Sequence, residues 1–453
     1  MAPDIDPYSL LTSSMRPLRR LSGLFVLPPR QTLRGAFYRL VWEGTFAQAF
    51  LVLTSGGLLI GLAKYLNASN WEVSLLNALA FLVMPFQTIL GVHFNKAKIR
   101  KKVAILTAII SRVLWLAPMI LVLWKPHHAI LWLLLFVFIQ NVAFTVSTLC
   151  WLSWIGDLVS VDLRGRFFGA RQRGASIANV VVYMSAGALL DKLRETNRED
   201  IGHFVIGAVA IVLGLISAFL LNNVPRTLRP VPVIEEVPDT KVVPWRDPAF
   251  RRIMIGFGAW YAAVGFAGPY WAVHMLTHLN FGYKMLAGYG AGFTIMMALV
   301  SPFAGRWIDK YGDFGLTTIG MICLSSVPIY WIFITPSFPY PVILEIIVTA
   351  FGWAAVQLTS STIPLRYSTP LTRNKYLAAL SLAIGIGFTI GAIVGGVLMD
   401  MWDSARGSLF GIPLFPTHFA FAITGLLRLS VAVYFFRLSK QLQTAERFPI
   451  MVV

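Results

Sequence analysis

Charge is what this chain has least of. Asp, Glu, Lys and Arg make up 13% of its 453 residues, about half the share of an ordinary soluble domain, which excludes water as the solvent for most of its surface. Cysteine is nearly absent: Cys150 and Cys323 are the only two, and both fall inside apolar runs, so no disulfide framework is implied. No GxxxxGK[S/T] phosphate loop occurs, which argues against an ATP-driven pump. No nucleophile and base pair or metal cluster of specific spacing stands out, which argues against a membrane enzyme. No cofactor is implied.

What the chain has is apolar length. Hydrophobic residues reach 57% and gather in runs of about 20 or more, the length a helix needs to cross roughly 30 Å of hydrocarbon. The runs lie at 37–63, 71–93, 103–124, 129–155, 167–190, 201–222, 252–278, 283–306, 314–335, 340–363, 376–401 and 416–439. Backbone groups cannot go unpaired in lipid, so the runs predict an all-α membrane protein of twelve transmembrane helices. The organisation they imply is a basic arm (1–36), a six-helix bundle (37–222), a Pro-rich linker (223–251), a second six-helix bundle (252–439) and a tail (440–453). The arm has neither the long apolar core nor the small-residue cleavage pattern of a signal peptide.

The formal charge of +18 raises the question of a nucleic-acid partner, and the positions of the 38 Lys and Arg answer it. The arm, the 2–3 connection, every second connection after it and the tail, taken with the helix ends beside them, hold 28; the opposite connections hold six, Lys64, Lys125, Lys192, Arg194, Arg198 and Arg406, with Lys284 at a helix end beside them. The positive-inside rule places both termini in the cytoplasm, in an inner membrane. The basicity is topological, the partner it implies is the bilayer, and no nucleic acid is called for.

The two bundles repeat one another. Ala36-Phe37-Tyr38-Arg39 aligns with Ala249-Phe250-Arg251-Arg252 at an offset of 213, GVHFNKAK from Gly91 with GRWIDKYG from Gly305 at 214, and LRGRFFGA from Leu163 with TRNKYLAA from Thr372 at 209, the last offset also pairing Asp191 with Asp400. Six is an even number, so the copies are parallel.

With these windows the chain resembles the major facilitator superfamily across 37–439. Gly305, Asp309, Lys310 and Gly312 match the family's 8–9 connection; in the 2–3 copy Gly91, Lys96, Arg100 and Lys101 fit, but Asn95 replaces the acid and Lys98 the glycine. The resemblance implies a fold of two parallel six-helix bundles and a secondary active permease moving a small-molecule substrate by alternating access, with no enzymatic step. It also implies a conformational latch of Gly91, Lys96, Gly305, Asp309, Lys310 and Gly312, with Asp157 and Arg164 in the 4–5 region as further members. Anchoring of the same loops at lipid headgroups is the other reading. Proton-coupled drug exporters of the family carry an arginine in helix four and a glycine-proline pattern in helix five; LLLFVFIQNVAFTVS and ANVVVYMSAGALL have neither. A transporter-like assembly factor or sensor is the rival function.

The resemblance also implies that helices one, four, seven and ten line the path, and polar residues there carry most weight, since a polar group facing lipid is expensive. Helix ten presents Glu345, Thr349, Trp353, Gln357 and Ser361 every four residues; helix four offers Gln140, Asn141, Thr145 and Thr148; helix seven offers Tyr270. Gln140, Asn141, Thr145, Tyr270, Trp353 and Gln357 are the candidate substrate wall, with hydrogen bonding between helices as the alternative. Glu43 is the candidate for proton coupling, because desolvation favours a neutral carboxyl and its repeat partner is Gly256; Arg39, four residues earlier, is placed to pair with it. Arg112 and Arg428 lie halfway through helices three and twelve and, with Glu345, are buried charges needing a partner or a wet cavity. His274 and His278 stand one turn apart, a weak metal pair or ordinary interfacial histidines. Gly387, Gly391, Gly395 and Gly396 form a close-packing stripe on helix eleven.

Overall fold

The computed structural model describes residues 33–84, 99–159, 161–225, 242–369, 372–409 and 412–447. The apolar runs become twelve helices. α1 is Leu33–Thr54 continued by Gly56–Tyr65; α2, Asn70–Leu82; α3, Arg100–Val113 continued by Leu116–Trp124; α4, Ala129–Leu158; α5, Val161–Glu195; α6, Glu199–Asn222. In the second half α7 is Pro248–Ala267 continued by Tyr270–Val273 and the π turn His274–His278; α8 and α9 are the two arms of Tyr283–Phe333; α10 is Pro341–Arg366; α11, Arg373–Met401; α12, Pro416–Arg447. Ten stretches among the described residues are long and apolar enough to cross a bilayer, and α2 and α7 complete the twelve. Two short strands, β1 (Gly407–Leu409) and β2 (Ile412–Leu414), pair antiparallel between α11 and α12.

Local chemistry explains the boundaries that differ from the apolar runs. α7 begins four residues before its run because Asp247 accepts from the backbone N–H of Ala249 and Phe250 (3.0 and 3.2 Å) and Pro248 supplies a first turn that needs no donor. α8 and α9 part at Gly312, whose φ of 68° and ψ of 168° favour glycine. α1 already runs from Leu33, the first described residue, and α12 carries the helix eight residues past the predicted span.

Each half closes on itself. α1 packs against α5 and α6 and α3 against α4; α7 packs against α11 and α12, and α10 against the α8–α9 unit. The helix-eleven glycines work as predicted: a Cβ on Gly387, Gly391 or Gly395 would lie 1.9–2.1 Å from the carbonyl oxygens of Gly258, Ala262 and Phe266, so only glycine admits α7 at this distance. The halves meet along two repeat-related contacts, α2 on α11 and α5 on α8. The bundle has two ends: a near face, which carries the start of α1 and the end of α12, and a far face opposite it.

Candidate transport path

Glu43 lies ten residues into α1, about 15 Å from the near end at 1.5 Å per residue. Its partner is Arg171 of α5, whose Nη2 donates to Glu43 Oε2 at 3.2 Å; the carboxylate side chain is 5% exposed and the guanidinium side chain 25%. Gly44 lets the arginine cross α1, since a Cβ there would fall 2.5 Å from Arg171 Cγ, and the guanidinium stacks on Trp151 of α4 at 4.4 Å. Arg39, the predicted partner, donates instead to its own helix at Gly35 O (3.0 Å). Arg112 is buried behind this pair. Its Nη1 donates to Ala108 O (3.0 Å) and Ser111 Oγ (2.9 Å), its Nη2 to Ser217 Oγ of α6 (3.3 Å). A guanidinium so enclosed braces α3 to α6 inside one half.

The second buried cluster lies in the other half. Glu345 of α10 is 1% exposed and its Oε1 accepts from Thr349 Oγ1 (2.6 Å) and from Tyr289 Oη of α8 (3.1 Å). Arg428 of α12 lies close enough to interact electrostatically with Glu345, donates to Leu324 O (3.2 Å) and faces the Trp271 ring at 5.9 Å. The helix-ten stripe therefore turns as it descends: Glu345 and Thr349 face the bundle interior, Trp353 is half-buried, and Gln357 and Ser361 are exposed.

At mid-depth an aromatic row joins the halves. Trp353 lies 6.2 Å from Tyr261 of α7, Tyr261 6.3 Å from Phe81 of α2, and Phe81 stacks on Phe388 of α11 at 3.6 Å. On α4, Gln140 is buried, Thr145 is half-buried and Asn141 donates to its own helix at Val137 O (2.9 Å). Asn179 of α5 donates to Thr294 Oγ1 of α8 at 2.7 Å, a bond between halves that neither helix shows as a polar stripe.

Tyr270 does not join this wall. It is fully buried at the far face, where its hydroxyl meets Ser74 Oγ (2.7 Å) and donates to Asn70 O (3.3 Å), both on α2. An amphipathic stripe on α7 reveals which side is buried but not which partner buries it, and here the partner is the opposite half. His274 pairs with Thr417 (2.7 Å) and His278 stacks on Phe415 (4.6 Å); no group of three metal-ligating side chains forms among the described residues.

At the near face, Gly91 and Lys96 lie outside the described residues, as do the side chains of Asp157, Arg164 and Asp309. Gly305 is exposed, Gly312 makes the α8–α9 break, and Lys310 lies over the ring of Tyr311 (5.1 Å). Among the described side chains, Asp313 ties this connection to a neighbour: it accepts from Thr362 and lies 3.8 Å from Arg366, both on α10.

The family model described as Major Facilitator Superfamily matches residues 41–370 and 290–448. This chain belongs to that superfamily. As a member it is a multi-pass membrane protein. Among curated relatives it is 33% identical over 135 residues to multidrug resistance protein 2 of Bacillus subtilis (strain 168), a match covering 29% of this chain and 30% of the relative. The chain thus spans less than a third of that relative's length. Solved structures share its fold: the nucleoside transporter NupG (TM-score 0.63, 14% identity, 89% of this chain and 99% of that one) and the POT family transporter PepTSo (0.68, 11%, 90% and 98%).

Proposed function

We propose that this superfamily member couples the movement of a small polar or amphipathic organic solute to a proton gradient across an inner membrane, with both termini cytoplasmic, and performs no chemical step on its cargo. The near face is then cytoplasmic, which the charge asymmetry of the connections supports. The observation that carries the coupling is the Glu43–Arg171 pair: an enclosed carboxylate whose ion-pair partner is the more exposed member. A proton taken up by Glu43 frees Arg171; its loss restores the pair. Two arrangements of α1 against α5 result, and a proton binding one more tightly than the other biases the rocking of the halves.

The uncharged side chains of Gln140 and Thr145 on α4 and the ring pair Trp353–Tyr261 support a cargo with a flat apolar part and hydrogen-bonding groups. The Bacillus relative's name adds drugs to the cargoes worth testing. In proteoliposomes with an imposed pH gradient, wild type is expected to accumulate such a solute, and Glu43→Gln to lose gradient-driven accumulation at least about 10-fold while keeping solute exchange without a gradient. Accumulation by Glu43→Gln equal to wild type refutes coupling through this carboxyl. Flux absent for every solute class points back to the assembly or sensor role.

A further inference from the structure

The far-face contacts between the halves use one four-residue device twice. Gly187 and Asp191 stand one turn apart at the end of α5, Gly396 and Asp400 one turn apart at the end of α11, and both pairs are related by the repeat offset of 209. A Cβ on Gly187 would stand 2.6 Å from the carbonyl oxygen of Tyr283, and one on Gly396 2.9 Å from Trp71 Cα. In each case the missing side chain lets the first turn of a helix from the opposite half lie against the backbone. One turn later the aspartate receives that helix: Asp191 accepts from the backbone N–H of Tyr283 (2.6 Å) and Lys284 (2.8 Å), Asp400 from those of Asn70 (2.9 Å) and Trp71 (3.1 Å). The four receiving residues are repeat partners too, at an offset of 213.

The first N–H groups of a helix have no partner within it and carry its positive end, so a carboxylate spanning two of them makes a strong, charge-assisted contact. Both contacts bridge the halves and must break when the far face opens. An interaction present in one state and absent in the other sets the equilibrium between them. The two sites are not equal. α2 also carries its own capping box, with Ser69 Oγ accepting from Glu72 N–H and Glu72 Oε2 accepting from Ser69 N–H. α8, with Gly282 at its N-cap, has no side-chain cap of its own, so Asp191 serves it from the other half.

We propose that Gly187–Asp191 and Gly396–Asp400 form a paired latch that holds the far face closed, and that Asp191 is its dominant member because opening leaves α8 uncapped while α2 keeps its own cap. The test uses the full chain in nanodiscs, with spin labels at the exposed far-face turns Thr196 and Ser337 in a background where Cys150 and Cys323 are replaced by alanine. Pulsed electron paramagnetic resonance gives the ratio of long to short label distances, without solute or pH gradient, so its outcome is independent of proton coupling. Asp191→Asn is expected to raise the ratio roughly 10-fold and Asp400→Asn roughly threefold, as the loss of about one charge-assisted hydrogen bond predicts, and the double variant to exceed either. Gly187→Leu, which keeps the carboxylate but wedges the helices apart, is expected to shift the ratio the same way and carries the test if Asp191→Asn does not fold. Unchanged distances in the folded variants, or a larger effect at Asp400 than at Asp191, overturn the proposal.

Discussion

Among the described residues two glutamates are enclosed, one in each half, and their surroundings make them different instruments. Glu43 is held by a guanidinium that is itself a quarter exposed, on a neighbouring helix, about 15 Å from the near face. Glu345 is held by two hydroxyls with Arg428 nearby, and Arg428 is 4% exposed. The repeat sharpens the contrast. Where α1 has Glu43, α7 has Gly256, and a Cβ there would fall 2.7 Å from the ring of Phe435; where α5 has Arg171, α11 has the buried Leu380. Where α10 has Glu345, the corresponding stretch of α4, Leu131 to Phe136, is wholly apolar. Neither charge cluster has a copy. A pair with an exposed member can exchange a proton and move, whereas a sealed network fixes the packing of its bundle.

Breaking the sealed cluster is expected to give the largest effect. Arg428→Leu leaves Glu345 without its nearby cation and should cost about 3 kcal/mol of stability, read as a lowered unfolding temperature of the purified protein, with transport per folded molecule changed less than about twofold. A loss of transport at unchanged stability would move Glu345 into the working path. Next comes the open pair: Arg171→Gln is expected to slow gradient-driven flux about 10-fold, some 1.4 kcal/mol, with little change in thermal stability. If Arg171→Gln instead destabilises as much as Arg428→Leu, the distinction between the two clusters fails. The smallest effect belongs to the aromatic row. Trp353→Ala is expected to raise the apparent KM for solute by roughly 3- to 10-fold, the worth of one aromatic contact, leaving the maximal rate nearly unchanged.

The fold can be read in the chain because lipid leaves one solution for long apolar runs, and because three windows at nearly one offset tie the halves together. The residues that do the joining are harder to see. Arg171 sits in the basic run Arg164 to Arg173 and reads there as topological charge; only the packing of α1 on α5 turns it toward Glu43. Asp191 and Asp400 are visible as repeat partners, yet the N–H groups they accept from lie 92 and 330 residues away, a distance no local pattern spans. Tyr270 reads as part of the substrate wall for the same reason, although its hydroxyl belongs to the contact with α2. Arg39 is the nearest cation along α1, but its guanidinium donates to Gly35 O in its own helix. The near-face motif is legible only in part: the family resemblance marks Gly312, but the positive φ that makes it the α8–α9 break is seen only in the structure.

The stacked rings of Phe81 and Phe388 have a mechanical consequence. They touch across the halves twelve residues below Asp400, about 18 Å along α11. A contact that near mid-depth acts as a fulcrum, and the helix above it as a lever arm. Tilting one half by roughly 10° about the rings would carry the far end some 3 Å, about one hydrogen-bond length, while the rings themselves slide by little. A small rotation is therefore enough to part both aspartates from their helices, and the far face can open without the halves losing touch at the middle.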